Sequence, residues 1–406
     1  MIYTTVFAFA IIAVLQAFGD VVSAKTNGKL PSIFVTAILF LIGFWTVIPT
    51  EIVQNIGGEK VTTTLLALSS ISGPLFGLLL TLLVTNMGSL MSIKELVQQW
   101  KTIVIGLAGI LGVMVFAYFV SGFIFGKEYG LVVAPPLAGG LAAMDIMVTA
   151  ANEIGRNDLA IISALVFSIQ GLLGYPIMTY ALRKQSNFVL GEYNAGNIKL
   201  KKEEVASETT SKFKIIPDMP AKYQTPNIMI AKVAVVSVLA ELASRATGGA
   251  IHTYVMCLVL GILASEIGFL EKKILNKSET MGLLMVLLMG FVFGGLASAT
   301  PAKLMEVAVP LAGTIIIGIL GMLVFGIIVG KLFGETWMMS TAIVINCLCG
   351  FPPNYILTDE ASRSTSSSDE EYNILMQEML PKVLVGGFAT VTVSSVLVAN
   401  FFSKFL

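Results

Sequence analysis

Charge is scarce in this chain. Aspartate, glutamate, lysine and arginine make up 12% of its 406 residues, against about 25% in an average soluble domain. The hydrophobic share is 56% and the mean hydropathy is +0.87. Such a chain cannot cover its apolar surface with polar groups, so a bilayer is its solvent. Lys+Arg and Asp+Glu number 25 each, so no basic excess calls for nucleic acid. Histidine occurs once, at His252, and the three cysteines (Cys257, Cys347, Cys349) have no zinc spacing. There is no His-Glu-x-x-His or Gly-x-Ser-x-Gly string, so no catalytic set is legible and the chain does not read as an enzyme. No Gly-x-x-x-x-Gly-Lys-Ser/Thr string offers a built-in ATP engine. The N-terminus opens apolar, without a basic leader or cleavage site, and reads as a retained first helix.

What is present is long apolar runs. A spanning helix needs roughly 20 apolar residues, and ten segments qualify: 2–22, 31–51, 62–86, 102–125, 159–182, 227–247, 250–269, 280–298, 304–330 and 376–402. A polar stretch at 184–225, rich in lysine, divides them into halves, 1–183 and 226–406. The halves share strings in the same order. Gly109-Ile-Leu-Gly-Val-Met-Val-Phe116 matches Gly318-Ile-Leu-Gly-Met-Leu-Val-Phe325, Phe125-Gly126 matches Phe333-Gly334, and Leu137-Ala-Gly-Gly140 falls against Leu348-Cys-Gly-Phe351. The expected fold is an all-α polytopic membrane protein of two five-helix repeats. An odd number of spans makes the second copy inverted. Lysine and arginine collect on the cytoplasmic side. With the linker inside, only Lys60, Lys127, Arg156, Arg245, Lys303 and Lys404 fall outside, and both termini are outside.

Two apolar stretches, about 131–151 and 337–358, are too interrupted by glycine, proline and polar residues to span. Broken backbone at membrane depth survives only where protein or a water-filled cavity satisfies it. Each is read as a re-entrant loop, one from each face, meeting near the midplane as in transporters. Glycine admits close backbone approach, helix starts favour anions and helix ends favour cations. Gly139, Gly140, Gly350, Phe351, Pro352, Pro353 and Asn354 are therefore the candidate substrate contacts. Asp145, Thr149 and Asn152 lie at i, i+4 and i+7 and share a helix face. With Asn346 and Thr358 they are the candidate sodium or coupling residues. Asp145 could instead carry a proton or pair a cationic group of the substrate.

The 5+5 repeat, the basic linker, the two loops and Gly171-Leu-Leu-Gly-Tyr-Pro176 followed by Arg183-Lys184 resemble the bacterial sodium–glutamate symporter family. More distantly the chain is similar to the sodium-dependent 2-hydroxycarboxylate (citrate) carriers. The family's Gly-Gly-His-Gly type motif corresponds here to Gly139-Gly140-Leu141-Ala142, and its Gly-Ala-Thr-Pro type motif to Gly350-Phe351-Pro352-Pro353. Each loop keeps glycine and departs at its most specific side chain. The resemblance implies a homodimer in the bacterial inner membrane. It implies symport of a small organic anion or amino acid such as glutamate with sodium, without other cofactors, by an elevator-like motion. Proton coupling or exchange of a small carboxylate is the alternative; a channel or a membrane-embedded enzyme fits less well.

Overall fold

The structure, a computed structural model, describes residues 4–56, 59–71, 73–90, 93–198, 214–217, 219–220, 223–248, 251, 253–390 and 395–406. It is almost entirely helical. The main helices are α1 (Thr5–Lys25), α2 (Ser32–Thr46), α3 (Gly73–Gly88), α4 (Trp100–Val115), α5 (Lys127–Glu153), α6 (Asn157–Asn194), α7 (Pro226–Ala246) and α8 (Thr253–Glu266). There follow α9 (Met281–Gly294), α10 (Pro301–Leu332), α11 (Trp337–Cys349), α12 (Pro353–Thr365), α13 (Asp369–Ala389) and α14 (Ser395–Phe402).

Among the described residues, six helical stretches are long and apolar enough to cross a bilayer: Thr5–Lys25, Trp100–Phe125, Asn157–Asn194, Pro226–Ala246, Met281–Ser298 and Val307–Leu332. The protein is a helical membrane protein on this ground. Three other expected spans are shorter apolar helices. The 15-residue α2 is about 22 Å long at 1.5 Å per residue, below the ~30 Å hydrocarbon core. The tenth expected span, 376–402, crosses residues 391–394, outside the described residues.

Two boundaries differ from the sequence reading. The third span does not begin at 62: Ile52–Ile56 and Glu59–Thr63 pair as an antiparallel ribbon, and α3 starts at Gly73. Ile52, Val53, Ile56, Val61, Thr62 and Thr63 are β-branched and favour the pleated backbone. Helix α6 runs on to Asn194, into the polar stretch. Leu182, Gln185, Ser186 and Val189 keep a buried face there, so packing carries the helix past its apolar run. Residues 199–213, 218 and 221–222 of the linker and His252 lie outside the described residues.

The chain forms two compact units, Met1–Ala13, Leu66–Gln98 and Lys201–Val292 in one, and Val14–Leu65, Gln99–Leu200 and Phe293–Leu406 in the other. In the first unit α3 packs on α8 through Gly88 and Gly261. Small residues let membrane helices approach closely. Thr85 and Ser237 hydroxyls meet at 2.9 Å, and a largely buried Lys232–Glu271 pair closes at 2.7 Å.

The second unit is built on α4 and α10. Gly112 and Gly321 face each other so closely that a side chain on either would strike the other's backbone. Phe116 and Phe325 meet edge to face at 6.3 Å. Past Val115 the helix widens into a π-helical turn, Phe116–Ser121. Gly130 of α5 seats against its Ala117 carbonyl. Helix α2 belongs to this unit too. Pro31 offers no side-chain acceptor at its start, so Glu360 of α12 caps it, accepting the Ser32 N–H at 3.1 and 3.3 Å.

Candidate functional site

The two interrupted stretches are helical hairpins, and both lie in the second unit. Helix α5 is a 27-residue run cut at Gly140 (φ 66°, ψ −143°) into equal arms, 127–139 and 141–153. Helices α11 and α12, 13 residues each, are separated at Gly350 (φ 67°, ψ −176°). That backbone region belongs essentially to glycine. The break in the first hairpin is therefore at Gly140, with Gly139 still helical. Gly140, not Gly139, is the counterpart of Gly350, one residue from the register read in the sequence. Pro135 and Pro136 also do not break α5; both sit inside its first arm. Each proline removes one N–H and crowds the preceding turn without ending the helix outright. The positive-φ glycine does the breaking.

The base of each hairpin shows how it folds back. At the first, Arg156, just past the second arm, makes a bidentate bond at 2.7 and 2.9 Å to Glu128 at the start of the first. Arg156 also holds Asp158 at 2.9 and 3.0 Å. Its hydrogen bonds hold the Glu128 carboxyl below the usual range. At the second, Thr336, the N-cap of α11, bonds Gln185 at 2.5 Å. Ser364, near the end of α12, accepts from Arg183 at 2.8 Å. Arg183 also reaches the Asn27 carbonyl. Within α12, Arg363 pairs with Asp359 at 2.8 Å, and Tyr372 donates to the same carboxylate at 2.5 Å. One base thus sits at residues 156–158, where α6 begins, and the other at residues 183–185 of α6. The hairpins run inward from opposite ends of the apolar part of α6, which itself continues to Asn194.

Their tips differ chemically. At the first, the helix restarts at Leu141, and the leading N–H groups of a restarted helix are the ones for which no intrahelical partner is built in. No proline follows to remove them. At the second, Pro352 and Pro353 have no N–H to give, and the Asn354 N–H already bonds the Gly350 carbonyl at 3.1 Å. This tip offers side-chain amides instead. Asn346 and Asn354 are fully buried. Asn346 donates to the Val383 carbonyl. Its Oδ1, and both Oδ1 and Nδ2 of Asn354, have no hydrogen-bond partner among the described residues. Asn354 Nδ2 and the Asn346 amide meet at Gly387 of α13, where a methyl group would lie 2.7 Å from Asn354 Nδ2 and 3.0 and 3.1 Å from Asn346 Nδ2 and Oδ1. Thr358, also fully buried, donates to the Asn354 carbonyl at 2.7 Å. An unpaired buried polar atom costs about 1–3 kcal/mol, and native interiors satisfy such atoms with water or an ion. Neutral amide oxygens suit a hard cation, by analogy with calcium and magnesium sites.

The carboxylates are elsewhere. Asp145, Thr149 and Glu153 line an open groove of about 330 Å³ on the second arm of α5, with Ser403 opposite. Asn152 is exposed and does not line it. Sequence reasoning gave Asp145 and Thr149 a common face but passed over Glu153, the next position on it. It also missed Gly387, because nothing in the sequence links that glycine to two asparagines. Cys257, Cys347 and Cys349 are buried free thiols, and Glu241 and Arg245 form the local pair their spacing implies, at 2.5 Å. No protein-family model matches the chain, and no curated protein sequence matches it.

Proposed function

We propose that this chain is a sodium-coupled secondary transporter of a small organic anion or amino acid. The observation that carries the reading is the pair of hairpins entering from opposite ends of the apolar part of α6 with glycine breaks at their tips. In this reading the tip at Gly140 receives the anionic group on helix-start N–H groups. The Asn346–Asn354–Gly387 space beside the other tip takes the dehydrated sodium ion. The matched arms, the reciprocal Gly112–Gly321 contact and the Phe116–Phe325 pair support an internal two-fold axis and two inverted five-helix repeats. Both hairpins fall in one compact unit, which suits an elevator in which that unit moves. The basic-residue pattern supports a cytoplasmic linker with both termini outside, and the resemblance implies a bacterial inner membrane. A homodimer is the assembly implied by the resemblance to sodium–glutamate symporters.

The test is uptake into proteoliposomes under separate sodium and proton gradients, with amino acids, dicarboxylates and 2-hydroxy acids as solutes. Sodium-driven accumulation is expected; uptake indifferent to sodium defeats the reading. A second reading, proton coupling or exchange of a small carboxylate, is favoured by the Asp145–Glu153 groove, where neighbouring carboxylates could carry a proton. Under it, Asp145→Asn abolishes uptake. Under sodium coupling through the amides, that variant keeps sodium-driven uptake.

A further inference from the structure

We infer that Gln170 is a specificity-determining residue that meets the transported solute between the two hairpin tips. The inference rests on the transporter reading above and adds a residue to its site. Helix α6 runs antiparallel to α11. Gln185 meets Thr336 at the start of α11, and Gly174 meets the side chains of Leu348 and Cys349 at its end. One turn beyond Gly174, Gln170 lies past the last residue of α11, at the level of the Gly350 break. Helix α12 leads to the same level. It touches α6 at Arg183 through Ser364, near its end, and its start at Pro353 lies a matching length back along α6. The first hairpin agrees: its second arm, 141–153, turns at Arg156 into α6, so its break at Gly140 falls about as far along α6 as Gln170.

The side chain points the right way for this role. Gln170 and Gly174, at i and i+4, share a helix face, and Gly174 faces the end of α11. Gln170 is 3% exposed, and its Oε1 has no hydrogen-bond partner among the described residues. A leucine would fill the same volume without desolvating a carbonyl, so a buried glutamine here needs a polar counterpart. Apart from Arg363, next to the base of the second hairpin and paired with Asp359, neither hairpin carries a lysine or arginine between its bases, and neither does α6 from 157 to 182. The solute is therefore met by carboxamides and helix ends. A carboxamide can donate to a carboxylate and accept from an ammonium or hydroxyl group.

Two variants test this in the full chain in liposomes. Gln170→Cys is exposed to a charged, membrane-impermeant thiosulfonate from each side in turn; the native cysteines are buried. Modification from at least one side is expected, and it should block uptake. L-Glutamate, L-malate and citrate, each with sodium, are tried as protectants. The one that the parent transports should slow modification at least fivefold. Gln170→Leu should keep the sodium-induced rise in melting temperature while the half-saturating concentration of that solute rises at least tenfold. No modification from either side, or unchanged affinity in Gln170→Leu, overturns the role given to Gln170 while sodium-driven uptake by the parent still stands. If the parent takes up none of the three, that counts against the transporter reading, and thiol access still decides whether position 170 faces water.

Discussion

At single residues, the two tips separate backbone from side-chain requirements. Nothing lies within contact distance of a side chain built on Gly350, so Gly350→Ala meets only its positive φ. It should cost about 1–3 kcal/mol of stability, the usual strain of such a conformation, read as a lower melting temperature in detergent. Gly387 is the reverse case. Its backbone is helical, and an added methyl would press on Asn354 Nδ2 at 2.7 Å. Gly387→Ala should therefore lose the rise in melting temperature, from choline chloride to sodium chloride, that the parent shows. A ligand at a hundred times its Kd adds about 2.7 kcal/mol, so the loss is measurable; an undiminished sodium response removes the ion from this place. Adjacent glycines at 139 and 140 advertised a break, but which glycine takes it depends on a ψ that spacing does not encode. The asparagines were legible as polar residues beside a proline pair. Their convergence was not, since it is made by α13 more than thirty residues away.

At the scale of elements, each hairpin is closed at its base by an arginine. Arg156 bridges the ends of the first, so Arg156→Gln should loosen its seam without touching either tip. Faster proteolysis near residues 154–156, with sodium-dependent melting retained, is the expected outcome. The pH dependence has a definite sign. The Glu128 carboxyl titrates below its ordinary range when folded, so its contribution is whole above the unfolded value of about 4.3 and is lost as pH falls through the folded one. The parent and Arg156→Gln should accordingly differ in proteolysis rate at pH 7 and converge in acid; a difference unchanged at pH 3 assigns the seam to something other than this pair. In the other unit, Lys232 and Glu271 are 13% and 10% exposed. Removing one partner should cost about 3–5 kcal/mol, while replacing both with apolar residues should come out near neutral. Helix existence was readable from apolar runs throughout. The ribbon at 52–63 was hidden because β-branched residues serve strands and membrane helices alike.

Across the whole molecule, the hairpin bases at opposite ends of the apolar part of α6 turn the transporter reading into a question of sides. Gly155 is exposed with open space around it, and Ser367 is exposed near the other base. In intact cells Gly155→Cys should react with an impermeant maleimide, and Ser367→Cys only after the cytoplasmic face is opened. The same side for both defeats the inverted arrangement. The fold class was legible from hydropathy alone, because a bilayer leaves few ways to satisfy a backbone. How the chain partitions into two units was not, since that depends on which apolar faces choose each other. The Gly112–Gly321 crossing has one more consequence. Each glycine is the wall the other leans on. A larger residue at either position pushes apart both helices at once, so the pair should behave as a single heritable trait. Genes descended from this one should keep both glycines or lose both.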